Sequence, residues 1–152
     1  MKTSFESQKK KRLGCSKQSK TTFMQTFEIY IIVTQDDLDN LNHVNNVRYV
    51  QWVQDVAEEH WHTKATEKIL SDYFWILLKH TIEYKNPAVL GDVLKLKTYI
   101  KESGGVTCVR MVEIYNKNTD KLLASSETKW CLVSQENMKP ARITEEIRTL
   151  FS

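Results

Sequence analysis

No apolar run in this 152-residue chain approaches the ~20 residues that a membrane-spanning helix needs. Residues 1–20 also lack the apolar stretch of a secretory signal, so neither membrane insertion nor export is expected. Leu13-Gly14-Cys15 has the outline of a lipoprotein cleavage site, but no hydrophobic segment precedes it. Cysteine is sparse. Cys15, Cys108 and Cys131 form an odd set without C-x-x-C spacing, which fits free thiols in a reducing compartment, and a cytoplasmic protein is expected. A metal motif is missing too. His60-Trp61-His62 stands beside Glu58 and Glu59, yet there is no H-E-x-x-H, and helix residues two apart face different sides. No metal site and no cofactor is therefore expected. The length leaves no room for a second domain.

Positive charge is absent where nucleic acid would need it. The formal net charge is +3, but residues 1–20 hold seven Lys/Arg and one acidic residue, leaving 15 basic and 18 acidic residues, a net of −3, for the remainder. A basic tail on a slightly acidic body is not the clustered positive face that phosphate recognition requires. Residues 1–22 are rich in Lys, Ser, Thr and Gln with almost no core-forming side chains, so they are expected to be disordered. The folded domain is expected over residues 23–152. Met24 immediately precedes the first strand pattern, which makes it a candidate initiator and the tail an upstream-start artefact. An intact Met1 in the mass spectrum of the native protein would refute that.

Phe27 to Thr34 is dense in β-branched and aromatic residues and reads as a strand. From Val47 to about Thr63, Tyr49, Trp52, Val53, Val56, Ala57 and His60 recur at three- and four-residue intervals, uninterrupted by Gly or Pro, as on one face of a helix. Strand patterns follow at Tyr73 to Tyr84, Val93 to Ile100, Val106 to Tyr115 and Leu122 to Val133, with turn residues between them. Ile143 to Phe151 reads as a short terminal helix capped by Thr144. One long helix followed by an antiparallel run predicts an α+β sheet curled around that helix. Its exposed edge predicts that two copies dock edge to edge.

The richest stretch is Asp37-Leu38-Asp39-Asn40-Leu41-Asn42-His43-Val44-Asn45-Asn46, which delivers two carboxylates, an imidazole and several amides to a helix N-terminus. N–H groups there lack intrahelical partners and the macrodipole is positive, so the junction can hold a developing oxyanion beside a reacting carboxylate. This points to acyl transfer or hydrolysis. A helix-capping Asn cluster with solvated Asp residues is the plainer reading.

On Asp37-x-Asp39, His43-Val44-Asn45-Asn46, Tyr49-x-x-Trp52, Tyr84-Lys85-Asn86-Pro87-Ala88 and Gly91-Asp92, the chain resembles the hotdog-fold thioesterases, in particular the 4-hydroxybenzoyl-CoA and acyl-ACP thioesterase-like branch. The resemblance spans roughly Phe23 to Phe151. It implies a five-stranded antiparallel sheet wrapped around a central helix, homodimers or dimers of dimers, active sites at the subunit interface, and acyl-CoA or acyl-ACP substrates. It also implies that Asp39 is the essential carboxylate and that a backbone N–H near Asn46 contacts the oxyanion. Plant-type acyl-ACP enzymes carry an Asn two residues after that Asp and a His four after it; here the positions hold Leu41 and His43. An amide from Asn42, Asn45 or Asn46 would then replace the missing one. Asn42 stands where many relatives have Gly, and Asn tolerates a left-handed backbone.

The resulting expectation is hydrolysis of an acyl thioester in which Asp39 attacks the carbonyl carbon or deprotonates a water that does, with His43 and Asn46 completing the catalytic set. His43 orients Asp39 or water, accepts a proton, or only packs the loop. Asn45, Tyr49 and Trp52 are the expected substrate contacts, although the apolar stripe equally suits Tyr49 and Trp52 for the core. Asp37 is expected to bond turn amides, and Arg48, Lys79 and Lys85 to be solvated surface charge. Two other readings stand beside the hydrolase: a hotdog enoyl-thioester hydratase or dehydratase, and a non-catalytic module that binds or senses acyl-CoA. A pure binder gains nothing from a carboxylate beside the thioester carbon.

Overall fold

The β-branched and aromatic run after Met24 forms β1 (Phe27–Ile32), with half-buried and exposed residues alternating along it. The computed structural model describes residues 24–152; the expected tail over residues 1–22, the start near Phe23 and Cys15 lie outside them. A 3-10 turn (Gln35–Asp37) leads to the long helix α1 (Asn46–Lys64), and a short helix α2 (Glu67–Asp72) follows. Then come β2 (Tyr73–Tyr84), β3 (Val93–Gly104), β4 (Thr107–Asn116), β5 (Leu122–Ser134) and the terminal helix α3 (Glu145–Thr149). The five strands form one antiparallel sheet in the order β1-β3-β4-β5-β2, so β1 and β2 are its edges. The α+β architecture is the expected one.

α1 buries Tyr49, Trp52, Val53, Val56, Ala57 and His60, the stripe its spacing predicts, and Trp61 as well. Val53 and Val56 are fully buried, and each contributes about 1.5–3 kcal/mol relative to an exposed position. The sheet holds its apolar side against this stripe by shifting register. In β2 the pairing to β5 skips Leu78, which is left unpaired and exposed. Before the bulge Trp75 faces inward onto Trp61; after it Ile82 packs in the core and Tyr84 meets Tyr49. Strict alternation from Trp75 would have turned Ile82 outward.

The interior divides into two apolar clusters. One gathers the first half of α1 with Leu94, Leu96, Val112 and Ile114; the other gathers Trp61, Ile69, Leu132, Ile147 and Phe151. Between them runs a polar row: Thr98, Arg110, Ser126 and Thr128 on the sheet and His60 on α1, all buried. Arg110 Nη1 donates to Thr98 Oγ1 and to His60 Nδ1, both at 2.9 Å, and His80 and Ser126 share a 2.8 Å hydrogen bond.

The structure differs from the sequence reading at several places. α2 is absent from that reading; Thr66 caps it by accepting from the Ile69 N–H (3.2 Å), but six residues are too few for a periodic signal. β3 continues four residues past Ile100, through a register shift at Lys101. The terminal helix is shorter than Ile143 to Phe151, although Thr144 caps it as expected. Cys108 and Cys131 are buried free thiols, and burial pushes the Cys108 thiol up to about 11, which keeps it protonated. Among the described residues, no helix is long and apolar enough to cross a membrane.

Candidate active site

The loop that carries the acidic motif is pinned before α1 begins. Asp37, 4% exposed, accepts hydrogen bonds at Oδ2 from the Thr34 N–H (2.8 Å) and hydroxyl (3.1 Å), and at Oδ1 from Arg48 Nε (2.7 Å). Burial works to raise the Asp37 pKa, but the Thr34 and Arg48 hydrogen bonds outweigh it and hold the carboxyl below its ordinary value. The structural role expected for Asp37 is what the structure shows. Arg48, expected as solvated surface charge, is corrected to an ion-pair partner that ties the first turn of α1 to this loop, with its guanidinium also over Trp52.

A second belt ties the loop to the crossover between β2 and β3. Val44 N–H donates to Ala88 O (2.9 Å), Val33 N–H to Asp92 O (2.9 Å), and Gly91 N–H to Val33 O (3.0 Å). Gly91 adopts φ +84, and Asp92 Oδ2 closes the turn by accepting from Val89 N–H (3.0 Å). The Pro87-Ala88 and Gly91-Asp92 pieces of the motif are thus the anvil on which the acidic loop rests.

Asp39 sits half-buried at the start of a tight turn. Its Oδ1 accepts from the N–H groups of Leu41 (2.8 Å) and His43 (3.2 Å), while its own N–H donates to His43 O (2.8 Å). Those bonds fix the carboxylate's orientation and leave Oδ2 outside them. The turn needs a left-handed residue, and Asn42 supplies it with φ +57. Replacing Asn42 with Val is expected to cost about 1–2 kcal/mol, whereas Asn42→Gly stays within about 0.5 kcal/mol of the native protein, as thermal melts would show.

At the helix start, Asn45 is the N-cap: its Oδ1 accepts from Val47 N–H (3.1 Å) and its carbonyl from Arg48 N–H (2.9 Å). That leaves the exposed Asn46 N–H without a partner among the described residues. Asn45 and Asn46 are therefore a cap and a free donor. Tyr49 and Trp52 are packed in the core, edge to face at 5.6 Å, and Tyr84 donates its hydroxyl to Asn46 O (3.3 Å) from beside Tyr49. His43 is exposed next to Leu41, which is 74% exposed. On α1, His60 points into the core and His62 outward to Glu58 (3.6 Å), the divergence their spacing implies.

A cavity of about 720 Å³ lies elsewhere, at the other end of α1 beside Trp61, Trp75, Trp130 and Phe151, with Arg110 on its wall. Neither Asp39, Asn46, Tyr49 nor Trp52 lines it. The sequence reading missed Arg110. The available signal was parity: Cys108, Arg110, Val112 and Ile114 alternate with outward residues, which places an arginine on the buried face of β4.

Residues 20–151 match the model of the acyl-ACP thioesterase N-terminal domain. The chain belongs to this family. A chloroplastic acyl-[acyl-carrier-protein] hydrolase of Cuphea viscosissima is 24% identical over 85 residues, 56% of this chain and 21% of that protein. The chain thus spans only about a fifth of the length of the curated relative it matches. Among solved structures, a 1,4-dihydroxy-2-naphthoyl-CoA thioesterase from Synechocystis superposes with TM-score 0.73 at 21% identity, covering 84% of this chain and 96% of that one. A Staphylococcus aureus protein solved in complex with CoA gives 0.74 at 19% identity over 84% and 82% of the two chains. A probable thioesterase from Escherichia coli gives 0.73 at 19% over 81% and 94%. Likeness at these identities establishes the fold, and the hotdog architecture is the one expected of this acyl-ACP thioesterase-family chain.

Proposed function

We propose that the chain hydrolyses an acyl thioester of coenzyme A or acyl carrier protein to a free acid and a thiol. The observation that carries this reading is the pairing of an oriented Asp39 carboxylate with an unpartnered Asn46 N–H at the N-terminus of α1. The Asn46 N–H and the helix dipole would polarise the thioester carbonyl. Asp39 Oδ2 would take a proton from water as the water oxygen bonds to the carbonyl carbon; collapse of the tetrahedral intermediate would break the C–S bond, and the thiolate would recover the proton. Direct attack by Asp39 would give a mixed anhydride that water then opens. Label found in Asp39 after a single turnover in ¹⁸O-water would establish the anhydride route, since only water attack on the Asp39 carbonyl of the anhydride puts it there. Thiol pKa values near ~8.5 make the leaving group a good one, so neither a triad nor a metal is required. His43 would order the attacking water, Asn45 would hold the helix start, and Tyr49 and Trp52 would form the floor beneath the thioester.

The active assembly in this reading is a homodimer, alone or paired into a dimer of dimers. Support comes from the free edge of β2, where Ile76 and Leu78 are exposed, and from the apolar surface of Leu41, Val47, Val89 and Leu90 around the candidate site. Leu78→Glu is expected to shift the sedimentation coefficient of the native dimer towards the monomer and to reduce turnover with it; a monomeric native protein would refute the edge-to-edge assembly.

The experiment that tests the function is thiol release from matched acyl-CoA and acyl-ACP series. Turnover on one carrier identifies the substrate class. Tight binding without release on either carrier would overturn the hydrolase and leave an acyl-thioester binding module.

A further inference from the structure

Arg110 is a buried cation without an anion. It is 5% exposed, and no carboxylate pairs with it among the described residues. Its two recorded acceptors, Thr98 Oγ1 and His60 Nδ1, are neutral groups. His60 is kept neutral by burial first and then by the charges of Arg110 and Lys64, which bring it down to about 3. Burial lowers the guanidinium itself only to about 10, so Arg110 remains charged at neutral pH.

A guanidinium carries five N–H donors, and Nη1 alone serves Thr98 and His60. His60 Nε2 is the one fully buried side-chain polar atom without a partner among the described residues, so Nε and Nη2 of Arg110 are not sealed off. Arg110 is one of the residues that line the 720 Å³ cavity. The cavity falls within the ~300–1,000 Å³ typical of small-molecule sites, and its walls carry Trp, Tyr and Phe side chains together with the charged residues Glu58, Lys101, Glu102 and Arg148. From Asn46 to Gln54, where the cavity begins along α1, the axis advances about 12 Å. The buried Tyr49, Trp52 and Val53 fill the intervening core.

We propose that this cavity binds a carboxylate on an apolar or aromatic body, with the carboxylate oxygens on Arg110 and the body against Trp61, Trp75 and Trp130. A buried charge left unpaired is costly, and a carboxylate matches the planar guanidinium fork with two parallel bonds. The apolar walls select the rest of the molecule, because a small hydrated anion would leave them wet. The carboxylate has two chemical sources: a free fatty or aromatic acid, or the distal carboxylate of an acyl group still on its carrier. The site stands whether or not Asp39 hydrolyses a thioester.

The test is equilibrium binding to the full chain, read by tryptophan emission and by calorimetry. Decanoate is expected to bind at least about tenfold more tightly than decanol, the preference a hydrogen bond to a charged group provides. Arg110→Met should erase that preference while keeping decanol affinity, and Ile100→Trp, which fills the cavity, should weaken both ligands. A non-hydrolysable S-alkyl thioether of coenzyme A with a distal carboxylate, compared with its methyl-ended counterpart, separates the sources. Arg110-dependent preference confined to the thioether assigns the site to the end of an acyl chain; preference for decanoate assigns it to free acids. Equal affinity for decanoate and decanol in the native protein, with no preference between the two thioethers, would overturn the proposal without any variant needing to fold.

Discussion

Asp39→Asn is expected to lower thiol release by about 10²–10⁴-fold, the range that removal of a general acid–base group produces, with substrate binding largely retained. The substitution is a clean one on physical grounds. Oδ1 of Asp39 accepts from Leu41 and His43 N–H groups, and the carbonyl oxygen of asparagine accepts the same two bonds. Only the second oxygen changes, from a basic acceptor to an amide that can neither attack nor take a proton. The left-handed Asn42 and the cap at Asn45 are untouched, so the melting temperature should move little. Stopped-flow thiol detection on native and variant proteins measures the effect. Equal rates would remove Asp39 from the chemistry, and a large drop in melting temperature would show that the carboxylate holds the turn instead.

Asp37→Ala is expected to produce the largest loss of stability, about 3 kcal/mol, or about 10 °C in melting temperature. Three hydrogen bonds end on its buried carboxylate, and their donors lie on the residue before the 3-10 turn and in the first turn of α1. The Arg48 side chain is 41% exposed, so water and salt recover part of its share. pH gives an independent check. The Asp37 carboxyl is held below its ordinary 3.8 in the folded protein, so its stabilisation is fully present above that value and is lost as pH falls through the lowered folded one. Native and Asp37→Asn proteins should therefore differ by a constant amount from pH 5 upward, and their unfolding free energies should converge in stronger acid. A gap that instead widens on acidification would show that the folded pKa is raised. Unlike Asp39→Asn, Asp37→Ala should cost stability and activity together, because the loop that presents Asp39 is anchored there.

Several features were legible in the chain because they obey local rules. The stripe from Tyr49 to His60 repeats at helical spacing, and it is the face α1 buries. Thr144 caps the last helix, and Asn42, a residue that tolerates a left-handed backbone, takes the left-handed position of the turn. A hotdog thioesterase of the 4-hydroxybenzoyl-CoA and acyl-ACP thioesterase-like branch was readable in the spaced motifs of the acidic loop and the Pro87 to Asp92 turn, and the acyl-ACP thioesterase family is the one that matches. Arg48 was not legible as a structural residue, since its partner Asp37 stands eleven positions earlier and a single arginine is by default solvated. α2 escaped because six residues carry too little periodicity.

By itself the sequence determined the order of the five strands with the long and the terminal helix, the face of the long helix, and the residues gathered at its N-terminus, because side-chain periodicity and capping act over a few residues. Only the tertiary structure decided that Leu78 bulges out of β2, that Ala88 and Asp92 support the acidic loop, and that Arg110 faces a cavity beside His60 and Thr98. These depend on register across strands distant in sequence, where a shift of one residue exchanges the inner and outer faces.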